Sequence, residues 1–108
     1  FIVNENSNNN AILLRYAMLR SIKYNSDIEN DPDGVINDNY GFEINRSTLF
    51  ADNEILFKIL MDAQNVDDEK FFPQLANQHI ERGLKLLERD YKFAGNKEKF
   101  FISIINKL

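Results

Sequence analysis

Apolar positions along the chain recur in four blocks, each at helical spacing. From about Ala11 to Tyr24, the residues Ile12, Leu13, Leu14, Tyr16, Ala17, Met18, Leu19 and Ile22 cover most of a helix circumference. A helix apolar on nearly all sides is predicted to be central to the core or to lie at a subunit interface. The Asn-rich stretch Asn4 to Asn10 precedes it as a loop, with Asn9 or Asn10 supplying the capping oxygen. A second block at about 53–64, capped by Asp52, sets Ile55, Leu56, Ile59, Leu60 and Ala63 on one side, while Phe57 and Met61 point elsewhere, so this helix is expected to be buried on more than one side. A third helical region starts at Asp67 or Asp68 and accommodates Pro73 in its first turn. Ala76, Ile80, Leu84, Leu87 and Tyr91 then repeat at helical spacing, and Gly95 ends the run in a left-handed cap. Asn96 caps a final helix with the stripe Phe100, Phe101, Ile104, Ile105 and Leu108.

These blocks predict an all-α fold, a compact four-helix bundle-like single domain over residues 1–108 with a long acidic loop after the first helix. The connection 25–47 has turn signals at Asp33-Gly34 and Tyr40-Gly41, and Gly41 to Asn45 alternates weakly, as a short extended piece would. Connections this long are uncommon and are often functional or mobile.

Composition narrows the function classes. The chain has 108 residues, 44% hydrophobic and 28% charged, which suits one globular domain. It has no Cys, so it can carry no disulfide, thiolate metal site or covalently held sulfur. Because it opens on Phe1 rather than Met, the native amino terminus is expected to be incomplete. No apolar run approaches the roughly 18 residues of a membrane span, and no signal-peptide pattern opens the chain, so a soluble cytoplasmic protein without membrane contact is expected. The formal charge of −4 is unevenly placed. Six acids (Asp27, Glu29, Asp31, Asp33, Asp38 and Glu43) and no Lys or Arg lie in 25–43, and without them 11 acids face 13 bases. From His79 to Leu108, seven bases face four acids. A weakly basic body with an acidic loop is compatible with DNA.

Arg82, Lys85, Arg89 and Lys92 stand at i, i+3, i+7 and i+10, a row of cations along one helix face that could track phosphates. The same residues also fit an ordinary solvated face held by Glu81–Lys85 and Glu88–Lys92 pairs. Arg15, Arg20 and Lys23 on the first helix are second candidates for phosphate, although Arg15 and Arg46 are better read as pairing with buried carbonyls or with an acid such as Glu43. The run Glu29-x-Asp31-x-Asp33-Gly34 imitates half of an EF-hand loop, but Pro32 interrupts it and Tyr40 replaces the closing bidentate Glu, so it reads as a solvated acidic loop. His79, the single histidine, has no partner motif and reads as a structural hydrogen-bonder. No phosphate loop, metal quartet or nucleophile elbow occurs, so no catalysis, metal or cofactor is expected.

Three segments together resemble the DNA sulfur modification protein DndE family. The helix Ile12 to Ile22 is similar to that family's Leu-x-Arg-x-Ala-x-x-x-Ser segment, here Leu13, Arg15, Ala17 and Ser21. Gly41-Phe42-Glu43-Ile44-Asn45-Arg46-Ser47-Thr48-Leu49 resembles its Gly-x-Glu-Phe-Asn-Arg-x-Thr-Leu stretch, and His79-Ile80-Glu81-Arg82-Gly83 its His-Ile-x-Arg-Gly helix. The chain departs from the family pattern at Asn9-Asn10-Ala11 and at Ala51-Asp52. The resemblance implies a small, non-catalytic helical subunit of the DNA phosphorothioation machinery, serving host defence. It also implies binding of nicked duplex DNA, tetramer formation, and partners that include a cysteine desulfurase, an adenylating sulfurtransferase and an ATPase. The rival from another class is a protein–protein adaptor that docks the larger subunits without touching DNA. An enzyme would need a second acidic cluster to complete a metal centre, and none is found.

Overall fold

The computed structural model describes residues 7–35 and 45–95. Four α-helices carry the fold: α1 (Ser7–Tyr24), α2 (Arg46–Phe50), α3 (Glu54–Leu60) and α4 (Ala76–Ala94). A 3-10 turn, Pro32–Gly34, lies in the connection after α1, and a π-type segment, Lys70–Leu75, leads into α4. Among the described residues there is no strand, so the all-α expectation stands. The helix inventory differs, since the short α2 was not anticipated. The expected turn at Tyr40-Gly41, most of the extended piece Gly41 to Asn45, and the final helix from Asn96 to Leu108 lie outside the described residues.

α1 and α4 run antiparallel, with Ala17 against Gly83 and Ser21 against His79. α4 is the enclosed element: every residue from His79 to Leu87 except Lys85 is buried. The sequence left the first helix either central to the core or at a subunit interface, and the central place falls to α4. α1 buries only the stripe Ala11, Leu14, Ala17, Met18 and Ser21, and leaves Ile12 and Leu19 exposed. Its helical backbone starts at Ser7, so Asn9 and Asn10 lie inside the helix and neither caps it.

α3 is not buried on more than one side as expected; it buries the side of Phe57 alone. Phe57, Met61 and Ala63 are buried, whereas Ile55, Leu56, Ile59 and Leu60 are exposed, Ile55 by 74%. The reason is an aromatic cluster. Phe50 stacks on Phe71 at 5.2 Å and meets Phe57 at 5.5 Å and Phe72 at 5.9 Å between ring centroids. A buried ring adds more apolar contact than an Ile or Leu, so the short helix presents Phe57 inward. Asn53, not Asp52, holds the N-cap position, and it makes no side-chain capping bond. Arg46 ties this region together: it bonds Glu54 and both carboxylate oxygens of Asp68, at 2.6 and 2.7 Å, and lies over the Phe71 and Phe72 rings. The structural role expected of Arg46 holds, with Glu54 and Asp68 as its acids. Pro73 forces Phe72 into an extended conformation (φ −136°, ψ 125°), so regular helix begins only at Ala76. At the other end Gly95 takes φ 84° and donates its N–H to Tyr91, the left-handed cap that was expected.

Candidate nucleic-acid interface

The expected cation row is not one surface. Arg82, its first member, is only 1% exposed, and each of its five N–H donors has a protein acceptor. Nε donates to Ser21 Oγ (2.8 Å), Nη1 to the Asp27 carbonyl (3.1 Å) and Asp31 Oδ2 (3.0 Å), and Nη2 to the carbonyls of Ser21 (2.9 Å) and Asn25. The guanidinium also lies over the Tyr24 ring. Nothing remains with which to hold a phosphate, so Arg82 leaves the set of candidate contacts. It is instead the clamp that closes the loop after α1 onto α4. Helical spacing placed it on a solvated face because the chain covering that face comes from 51 or more residues away in sequence.

The acidic loop and the basic row are thus two halves of one contact. Asp31 pairs with Arg82, Asp33 Oδ2 accepts from Arg89 Nη2 at 3.1 Å, and the Asp33 carbonyl accepts from Lys85 Nζ at 3.1 Å. Glu29 pairs with Lys70. Inside the loop, Asp31 Oδ1 accepts the Asp33 N–H at 2.9 Å, and these bonds from Asp33 and Arg82 hold the Asp31 carboxyl below its ordinary range. The anticipated calcium-loop imitation is therefore an Asx-turn leading into the 3-10 turn. No group of His, Cys, Asp and Glu that could hold a metal exists among the described residues.

The remaining candidates divide by exposure. Arg89 and Lys92 are exposed; Lys92 carries the expected pair with Glu88, at 3.0 Å. Lys85 is half-buried and lies 3.8 Å from Glu81, the other expected pair. Glu81 is itself buried, which raises its carboxyl above the usual range against the pull of Lys85. Arg20 makes a two-pronged bridge to Asp90, at 2.9 and 3.3 Å, joining α1 to α4. Arg15 Nε bonds the Ala11 carbonyl at 3.3 Å, the structural role expected of it. Lys23 is exposed in the last turn of α1, where a cation suits the helix dipole.

His79 is the structural hydrogen-bonder that its isolation suggested. It is buried beside Ser21, with Nδ1 2.8 Å from Ser21 Oγ. Since Arg82 Nε already donates to that oxygen, the Ser21 hydroxyl donates to Nδ1. Burial, and then the Arg82 charge, push His79 down to about 4, opposed by the Ser26 backbone. Next to this group, Gly83 lets the two helices come into backbone contact: a Cβ there would lie 1.8 Å from the Ala17 carbonyl oxygen. Ala17, Ser21, His79, Arg82 and Gly83 therefore form a single helix crossing. All five are also positions at which the first and third motif segments coincide with their family patterns.

That coincidence is matched by a wider comparison: residues 3–95 match the family described as DNA sulphur modification protein DndE. The chain belongs to the DndE family. DndE membership gives it a role in DNA sulfur modification. Neither curated proteins nor solved structures yield a match to the chain. Among the described residues no helix is long and apolar enough to cross a membrane.

Sequence reasoning missed two features. One is the exposed apolar face of α3, which continues into a groove of about 340 Å³ lined by Ile12, Leu19, Leu56 and their neighbours on α1 and α3. The other is the part played by Ser21. A lone hydroxyl on the buried stripe of an apolar helix, four residues after Ala17, was the available signal for it.

Proposed function

We propose that this DndE-family chain is a non-catalytic accessory subunit of the phosphorothioation machinery that binds duplex DNA, nicked duplex above all, as an oligomer. The observation that carries the reading is the exposed carboxyl-terminal half of α4, where Arg89 and Lys92 stand in solvent beyond the clamped Arg82. Two such cations bind phosphate weakly in one chain, but several copies acting together gain avidity without any new contact. The apolar face of α3 (Ile55, Leu56, Ile59 and Leu60) together with Ile12 and Leu19 of α1 supports a second copy as its occupant, because the same chain offers both an apolar ridge and an adjoining groove. Nicked duplex bends at the break and is cheaper to deform onto a curved assembly.

A specific observation also favours the adaptor reading: the acids of the loop after α1 neutralise part of the row. The two readings separate on substitution of Arg89 and Lys92. In fluorescence anisotropy with nicked and intact duplexes across a salt series, R89E/K92E is expected to abolish retention while the helical signal and oligomer size stay unchanged. Retention unaffected by the double reversal, or no binding by the unaltered chain at low salt, leaves the adaptor. Arg82 is unsuitable for this test, because reversing a buried charge removes the clamp as well.

A further inference from the structure

We infer that Asp33 is a built-in competitor for phosphate, an anion of this chain that occupies Arg89 of α4 until nucleic acid displaces it. The inference rests on the DNA-binding reading and adds how that surface is regulated. Asp33 lies in the middle of the turn Pro32–Gly34 and faces α4 with two groups at once. Its carboxylate meets Arg89 at 3.1 Å and its carbonyl meets Lys85 at 3.1 Å, so one residue covers two successive cations with oxygen acceptors. A backbone phosphate oxygen could take the place of the carboxylate at Arg89 while the carbonyl keeps Lys85.

The turn is fastened elsewhere, which makes that contact separable from the fold. Asp31 bonds the buried Arg82, and Ile28 is buried directly under Gly34, where a Cβ would lie 2.8 Å from Ile28 Cδ1. By contrast, the Asp33 and Arg89 side chains are 41% and 62% exposed. An ion pair so exposed contributes little to stability. Exchanging the Asp33 carboxylate for a phosphate is therefore nearly balanced, and the turn need not unfold to permit it. Binding at Arg89 then exchanges the chain's own carboxylate for a phosphate. The phosphate releases a condensed cation, the freed Asp33 beside it takes one up, and the net release from that position is small. The salt dependence should be shallower than the number of cations implies.

The test compares the full chain with Asp33→Asn, and with Asp52→Asn as a charge-matched control in the α2–α3 turn, using a nicked duplex in anisotropy titrations across a salt series. Asp33→Asn is expected to bind about two- to fivefold more tightly at low salt. Its log–log salt slope should steepen by up to ~0.9. Asp52→Asn should leave the slope unchanged, and the gain from Asp33→Asn should vanish in an Arg89→Gln background. Equal gains from the two Asn variants would reduce the effect to net charge and overturn the proposal, as would a gain that survives Arg89→Gln. Binding that is present but indifferent to Asp33→Asn rejects the competitor alone. Absence of binding in every variant removes the DNA reading, and the competitor with it.

Discussion

Five donors of one guanidinium meet five acceptors in Arg82, three of them backbone carbonyls of the segment 21–27. A lysine could not reproduce this fork, because its point charge has three donors and no plane. Around Arg82 the hydrogen-bond direction is fixed: arginine donates to Ser21, and Ser21 to a neutral His79. Protonating His79 would place a donor against a donor beside a permanent cation. Its folded pKa, about 4, lies below its ordinary value near 6.5, so the unfolded chain binds the extra proton first. Stability is therefore fully present above about pH 6.5 and is lost as pH falls toward 4. Between pH 7.5 and 4.5 the native chain should lose about 2 to 3 kcal/mol more than His79→Gln in urea denaturation, where the carboxylates common to both cancel. Equal losses would show that His79 titrates normally. The bland reading of a lone histidine held, but its partners could not be read from sequence, since Ser21 lies 58 residues away.

At the scale of elements, the crossing of α1 and α4 sets the architecture, and Gly83 sets the crossing. A methyl group at position 83 meets backbone, which cannot rotate away as a side chain would. Gly83→Ala should therefore cost about 3 kcal/mol in thermal or urea unfolding, despite the better helix propensity of alanine. A variant as stable as the parent would mean that the helices part without penalty. Much of this level was legible. The blocks that became α1 and α4 follow their apolar spacing, and Gly95 caps α4 where a glycine after a periodic run should. The failures share one cause, which is that periodicity gives the spacing of a face but not which face wins. In α3, four aliphatic residues outnumber Phe57 and Met61, yet the aromatic cluster around Phe50 decides the rotation. In α1 the all-round apolar pattern left a central helix and an interface helix open, while α4, with charged Glu81 and Arg82 in its middle, is the one enclosed. Charged residues are poor indicators of exposure when a distant loop brings their partners.

For the whole molecule, the sequence shows an acidic loop and a basic row as separate features, and folding brings them together. Net charge is the same either way, but the field differs, because the loop's acids pair with Arg82 and Arg89 while Lys92, paired with Glu88 of its own helix, projects beyond the loop. If copies associate through the α3 face, Ile55→Lys with Ile59→Lys should yield a smaller species in light scattering. Melting should change by no more than about 0.5 kcal/mol, since both side chains already face solvent. DNA affinity should fall with it, as avidity is lost. An unchanged particle mass would exclude that face. The clamp has a further consequence, for kinetics. The acceptors of Arg82 are 51 to 61 residues away along the chain, a long reach for an all-helical domain. Local helix formation on its own cannot satisfy them, so the slow event in folding is the docking of α4 onto α1 and its loop, which makes the domain slower to fold than its helical content suggests.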